Sequence, residues 1–460
     1  MKVLVGNQID PAVRDRGELR AWTQRILWFA GPDDIVVLCA LPDPGFLDHV
    51  TSLTGVKPSL LRIVVAPPGR HGGSLLDPES LQSRACVDAV AHHLRSSGVD
   101  DVSEVFALWP SPAVSRFADA LGVADRFPGS AFFAQGGGEL CNSKATFRAV
   151  AAAAGVPIPR GAVCRDANEA IAATVDLMAE SGAVVVKQAH NGAGAGNQLV
   201  VQDQSLNLDR VGARHLHRLT DGRAGVETYW LQRWDWASAG GRHPVVVEEF
   251  LPHAASVYSE HYAADDRTWP TEMGTLHYVG RRLSHQTVPL RGVDPVIRAD
   301  LLHGGSRLAQ AYRSLGFRGN LSADAVLTED GRVVFTEVNA QVSGSLHIYD
   351  VIARRVVDVA AAPERSVVEH HVPATWAVPD LTTFLSAADE LGCGYDPTTR
   401  TGVIVSMPLI PQENGRAQFV FCLAYGNEAN LRQMWKRLDD RFAVAPASAS
   451  GRLGVAYRPR

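Results

Sequence analysis

The sequence predicts an α/β domain built on a parallel sheet, then a larger α+β region, then a small α+β domain. Three observations carry that expectation. Up to about residue 140, short apolar strand-like runs alternate with helix-like stretches, as in strands joined by helical crossovers. Between residues 183 and 201 two apolar runs flank a glycine-rich loop, giving strand, loop, strand with no helix between. Between residues 321 and 338 two β-branched-rich runs flank Asp330-Gly331, a strong hairpin-turn signal.

In chain order, strand-like runs at 2–5, 34–39, 61–66 and 105–109 and a helix-like stretch at 80–95 make the first domain. Gly136-Gly137-Gly138 marks its boundary and sets it at 1–140. A helix is expected over 143–154, stopped by Gly155 and Pro157. The stretch 183–251 holds strands, the glycine loop and an insertion with Trp230, Trp234 and Trp236. Those tryptophans read as core or lid packing before substrate stacking, since aromatics usually bury area. The hairpin follows, then a helix after Tyr349, which closes a second domain at 141–365. Residues 366–460 carry a strand pair at 402–408 and 417–423 and a helix at 428–438, read as a small separate domain.

At 460 residues the chain is long enough for two to four domains. With 46% apolar and 20% charged residues it has the composition of an ordinary globular protein. A net charge of −5 argues against nucleic acid as the main partner. The six cysteines form no C-x-x-C pair or zinc-like spacing, which fits a reduced compartment. The opening apolar run is too short for a signal peptide and no segment reaches membrane-spanning length, so a cytoplasmic protein is expected. Only five of the 44 basic residues are lysine, so Lys187, ending the apolar run 183–186, calls for a specific explanation beside simple snorkelling.

A hairpin centred on Asp330-Gly331 places Asp324 opposite Glu337. Facing residues have Cβ atoms about 5 Å apart, and like charges there destabilise the sheet unless something neutralises them. Asn339 shares a face with Glu337. Asp324, Glu337 and Asn339 form an all-oxygen set suited to Mg²⁺. The hairpin taken alone is equally compatible with a solvated acidic face.

The run 183–187 ends in Lys187 and leads into a loop with Gly192, Gly194 and Gly196 before the run 198–201. Glycines there let backbone N–H groups approach phosphate oxygens and let the loop close as a lid. Walker and dinucleotide-binding loops lead into a helix, and this loop does not. Downstream, the run 245–247 ends in Glu248, Glu249, Phe250 and Leu251, which can offer backbone groups to an adenine edge and apolar contacts to its faces. The plainer reading of that segment is a strand end capped by solvated acids.

Together these features resemble the ATP-grasp superfamily over roughly residues 141–350, with an N-terminal pre-ATP-grasp domain. Asn142-Ser143-Lys144 resembles the family's first phosphate-contacting lysine, Lys187 the second, 192–196 the phosphate lid, 248–251 the adenine hinge, and Asp324, Glu337 and Asn339 the magnesium ligands. The resemblance implies ATP and Mg²⁺ as cofactors. The segment from Val342 to His347 and the C-terminal domain make the chain similar to peptide ligases of the pheganomycin type, from antibiotic biosynthesis. That likeness implies an unusual amino acid's carboxylate and a peptide amine as partners, and leaves a homo-oligomer open.

Ser343, Gly344, Ser345 and His347 would line the substrate end, with His347 equally readable as a packed histidine. Many relatives have arginine where this chain has Gln341 or Ser322, and an acid for the ribose where it has Ala255. A cation is still needed for the charge that builds up on acyl transfer, and Arg318, Arg281 and Arg282 are the candidates, unless they are ordinary surface arginines. The expected reaction is amide formation through an acyl phosphate. Its rivals are another ATP-grasp chemistry, carboxylation or phosphoryl transfer, and a non-catalytic ATP sensor.

Overall fold

In the computed structural model, which describes residues 1–7, 19–97, 102–192, 194–202, 205–206, 208, 212–220, 222–411 and 417–444, the strands form three sheets. The first contains β1 (Lys2–Val5), β2 (Ile35–Leu38), β3 (Arg62–Val65) and β4 (Glu104–Ala107), all parallel in the order β3-β2-β1-β4. Parallel sheets are covered on both faces. Here Val3 and Val5 pack with Phe117 and Phe147 on one side, while Leu4 and Val36 join Trp28, Trp376 and Phe421 on the other. The helix expected over 80–95 is divided. Asp77 caps a single turn, Pro78–Leu81, and a new helix, Arg84–Ser97, starts where the Ser83 hydroxyl accepts the Cys86 N–H at 3.3 Å.

The second sheet contains β5 (Gly161–Cys164), β6 (Ala183–Gln188), β7 (Asn197–Val201), β8 (His215–Arg218) and β9 (Val245–Glu249), in the order β5-β9-β6-β7-β8. Its apolar residues alternate between two small cores. Val184 and Val186 meet Leu177 and Trp230, while Ala183 and Val185 meet Leu199 and Phe250. The tryptophan insertion is one helix, Gly222–Ala237. Trp230 is fully buried and donates from Nε1 to the Thr174 hydroxyl at 2.9 Å, and Trp234 and Trp236 pack against the same core.

The third sheet contains β10 (His253–Ala263), β11 (Thr268–Val279), β12 (Arg282–Val288), β13 (Gly319–Thr328), β14 (Val333–Asn339), β15 (Ser366–His371), β16 (Gly402–Pro411) and β17 (Ala417–Tyr425). Its eight antiparallel strands run in the order β14-β13-β10-β11-β12-β15-β17-β16. The segment from 366, expected to stand apart, thus extends the central sheet, with β15 pairing β12 through Val288↔Val367 and Gln286↔Glu369. That pairing satisfies an edge that β12 would otherwise leave open. It also brings Glu369 to the middle of the molecule.

Ser143 caps the helix Lys144–Ala153, its hydroxyl accepting the Thr146 N–H. The helix after the hairpin begins at His347 and is π-helical through Val357. All six cysteines are buried, and none forms a disulfide. Among the described residues no helix is long and apolar enough to cross a membrane.

Candidate active site

Asp324 faces Glu337 and Ser322 faces Asn339 across β13 and β14. Closer to the turn the register differs by one, with Ala325↔Phe335 and Leu327↔Val333, because Thr336 is bulged. Without the bulge Asp324 would face Thr336. The bulge also aims the Thr336 carbonyl at Lys187, whose Nζ donates to it at 3.0 Å. The two carboxylates therefore meet as the sequence predicts, by way of a wider turn and a compensating bulge.

Lys187 is buried and lies 2.6 Å from Glu248 Oε2. Glu248 Oε1 accepts from Arg148 Nη1 at 2.8 Å, so this buried carboxylate sits between two cations. Lys144, at the first turn of its helix, donates from Nζ to the Asn191 carbonyl at 2.6 Å and lies 3.1 Å from Glu337 Oε2. It thereby ties the stem of the glycine loop to the hairpin.

Burial, and next the charge of Glu337, push the Asp324 carboxyl well above its ordinary value, and a hydrogen bond joins the two groups. Burial also acts to raise Glu337, but Lys144 and Lys187 outweigh it and hold that carboxyl low. Asn339 Nδ2 and the Ser322 hydroxyl each donate to Asp324 at 3.1 Å. Two acids compressed against each other, with an amide beside them, fit a hard divalent cation such as Mg²⁺ taking the place of the shared proton.

Lys187, Asp324, Glu337, Asn339 and Ser322 open onto one cavity of about 310 Å³, a volume in the range of small-molecule sites, with Lys144 outside its lining. The second sheet contributes Lys187, Gly192, Gly194 and residues 248–251, and the third contributes Asp324, Glu337 and Asn339. Gly194 adopts φ +69°, and a Cβ there would stand 2.8 Å from the Gly212 carbonyl, so the loop needs glycine at this point. Gly196 lies behind it against Asn191, and Ala193 falls outside the described residues. The Glu249 carboxylate is bound by Arg160 through its backbone N–H and Nε, at 2.8 and 3.0 Å. With both acid side chains engaged, what 248–251 offers the cavity is backbone and the Phe250 and Leu251 side chains.

The other end of the cavity contains Ser343, Gly344 and Ser345. The Ser343 hydroxyl donates to Glu260 at 2.6 Å, and the Ser345 hydroxyl to Gln286 Oε1 at 2.6 Å. Gln286 Nε2 and the Ser406 hydroxyl then donate to Glu369 at 2.5 and 2.7 Å. His347 lies behind this layer, fully buried, its imidazole kept neutral by burial. It is placed as a packed histidine.

None of the three candidate arginines lines the cavity. Arg318 is paired with Asp265 at 2.8 Å and donates to the Arg313 and Phe317 carbonyls. Arg281 occupies the turn between β11 and β12 at φ +66°, and Arg282 is exposed at the start of β12. The arginine that does reach the cavity is Arg25, from the first domain, accompanied by Trp22 and Trp109. The lysine scarcity that marked Lys187 gives no such signal for an arginine, and Arg25 lies beside Thr23 and Gln24 in the sequence. Gln341 and Ser322, at the positions lacking arginine, also line the cavity.

A family model described as the Pre ATP-grasp domain matches residues 23–123. No curated protein sequence matches the chain. Among solved structures, it is similar to an N5-carboxyaminoimidazole ribonucleotide synthetase in complex with ADP, at 13% identity and TM-score 0.56, covering 96% of each chain. Biotin carboxylase from Campylobacter jejuni is similar at 13% identity and TM-score 0.57, over 96% of this chain and 92% of that one. An L-amino acid ligase from Bacillus licheniformis is similar at 14% identity and TM-score 0.52, over 96% and 97%. The chain has the ATP-grasp fold preceded by a pre-ATP-grasp domain, as the sequence predicted.

Proposed function

We propose that this chain is an ATP-dependent carboxylate–amine ligase that joins an amino acid's carboxylate to the amine of a peptide through an acyl phosphate. The observation that carries this reading is the two-ended cavity. One end holds the oxygen-ligand trio and the buried Lys187, backed by Lys144, and the other holds hydroxyl, amide and opposite-charge groups. The first suits a triphosphate, and the second a small zwitterionic substrate lying against it.

In this reading Asp324, Glu337 and Asn339 would hold Mg²⁺, which supplies charge neutralisation of the phosphates when bound. Lys187 and Lys144 meet the remaining phosphate charge. The donor carboxylate oxygen bonds to the γ-phosphorus, and the bond to the β–γ bridging oxygen breaks, releasing ADP. The amine then adds to the acyl carbon, phosphate leaves, and the amine gives up a proton. The glycine loop at 192–196 keeps water from the acyl phosphate, and residues 248–251 receive the adenine. Six buried cysteines without a disulfide and a dependence on ATP fit a cytoplasmic enzyme. The sequence resemblance supports a place in natural-product biosynthesis, with an unusual amino acid as donor.

The test is to supply Mg-ATP with fractionated acids and amines from a cell extract, following ADP, phosphate and new amides by mass spectrometry. A ligase releases ADP and phosphate only when acid and amine are both present, and Asp324→Asn abolishes release. Bicarbonate-dependent ADP release with a carboxylated product would favour the carboxylase reading, which two of the similar structures make the natural rival. Tight Mg-ATP binding without ADP formation under any condition would leave a sensor.

A further inference from the structure

Two buried side chains of opposite charge face the substrate end, Arg25 at 3% exposure and Glu369 at 6%. Arg25 lies against the Trp22 ring at 5.1 Å and donates from Nη2 to the Val342 carbonyl at 3.3 Å. Its Nε has no hydrogen-bond partner. Burial draws the guanidinium down to about 10, with the Glu369 charge acting the other way. The two groups sense each other's charge, yet among the described residues no ion pair within 4.0 Å joins them. A buried cation and a buried acid left apart are costly unless a ligand completes both.

The surroundings fix what that ligand is. Glu369 is held in place by Gln286 and Ser406, on β12 and β16, and Gln286 is held by Ser345. Arg25 stands on a different domain, and its bond to the Val342 carbonyl sets it beside Gln341, one of the positions that lack arginine. A molecule with an ammonium and a carboxylate a few bonds apart satisfies both groups at once. We propose that Arg25 and Glu369 form the main-chain clamp for the donor amino acid, Arg25 holding its carboxylate and Glu369 its free ammonium. This rests on the ligase reading and adds to it a substrate class, an amino acid with an unblocked amine.

Hydroxylamine separates the clamp from the unknown acceptor. The clamped carboxylate forms the acyl phosphate with loss of ADP, and the hydroxylamine nitrogen displaces phosphate to give a hydroxamate, releasing one proton. The donors are the common amino acids and fractionated cell-extract acids, each before and after N-acetylation with acetic anhydride. Wild-type enzyme is expected to lose on the order of 10- to 100-fold in kcat/KM when the amine is acetylated, and Glu369→Gln to lose most of that discrimination. Arg25→Ala is expected to raise the KM for the acid by a similar factor while leaving the KM for Mg-ATP unchanged, with Arg25→Lys recovering part of the loss. Mg-ATP binding by each variant checks its fold, and if Arg25→Ala does not fold, Arg25→Lys and Glu369→Gln carry the test. Hydroxamate formed equally well from acetylated acids, or an acid KM indifferent to Arg25, overturns the clamp while the ligase stands. If no acid gives hydroxamate with the wild type, the ligase reading falls and the clamp with it.

Discussion

At the proposed phosphate end of the cavity each lysine is matched to a carboxylate, Lys187 with Glu248 and Lys144 with Glu337. At the proposed substrate end Arg25 and Glu369 come from distant parts of the chain, and among the described residues no ion pair joins them. In the proposed reading the first arrangement is preorganised around a ligand of large, fixed negative charge. The second leaves compensation to the ligand, which makes occupancy depend on the substrate having both charges. Stability and turnover should therefore respond differently at the two ends.

The largest effect is expected at the phosphate end. Lys187→Met removes a buried cation that touches both Glu248 and the Thr336 carbonyl, leaving Glu248 with Arg148 alone. ADP release at saturating substrate should fall on the order of 10³-fold, and urea melts should show a cost of about 3 kcal/mol or more. A loss under about tenfold would place the nucleotide charge elsewhere and erase the contrast between the ends.

Next in size is a pH effect at the substrate end. Burial raises the Glu369 carboxyl from 4.5 to about 7, against hydrogen bonds from Ser406 and Gln286 and the charge of Arg25. His347, 3.9 Å away, is kept neutral by burial, and the Cys422 thiol beside it is pushed up by burial. A carboxyl raised in the folded state stabilises it below 4.5 and loses that contribution as pH rises through 7. Relative to Glu369→Gln, wild-type protein should lose up to about 3 kcal/mol between pH 4.5 and pH 8, read by denaturant melts in magnesium-free buffer. A flat difference across that range would mean that Glu369 is ionised throughout.

A smaller effect is expected of the aromatic wall. Trp22→Ala or Trp109→Ala should raise the KM for the acid about tenfold without changing that for Mg-ATP, since both rings belong to the first-domain wall. Equal effects on both substrates would show that the ends are not separable. The smallest belongs to Arg318, whose partner Asp265 is almost fully exposed. Arg318→Ala should leave turnover within about twofold and cost under about 1 kcal/mol.

The phosphate end was largely legible before folding was considered, and the substrate end was not. Lys187 stood out because it ends an apolar run in a chain with five lysines, and Asp324 and Glu337 because a nearby turn makes them neighbours. Even there the route differed, since the Thr336 bulge supplies the register. Arg318, Arg281 and Arg282 carry the charge that acyl transfer calls for, but charge alone does not place a side chain, and none of the three lines the cavity. Arg25 lies 317 residues from the carbonyl it binds, a separation no local pattern spans.

The sequence by itself pointed to the parallel first sheet, the glycine loop between two strands and Lys187 at the end of an apolar run, because each follows from side-chain alternation or turn chemistry over a few residues, while Lys144 entered through the family resemblance. Only the tertiary structure decided that 366–371 extends the central sheet, that Glu369 arrives opposite Arg25, and that His347 is packed away. Those outcomes depend on which sheet edge and which apolar face find each other across hundreds of residues. That choice is made by burial, which is non-directional and leaves no short motif to read.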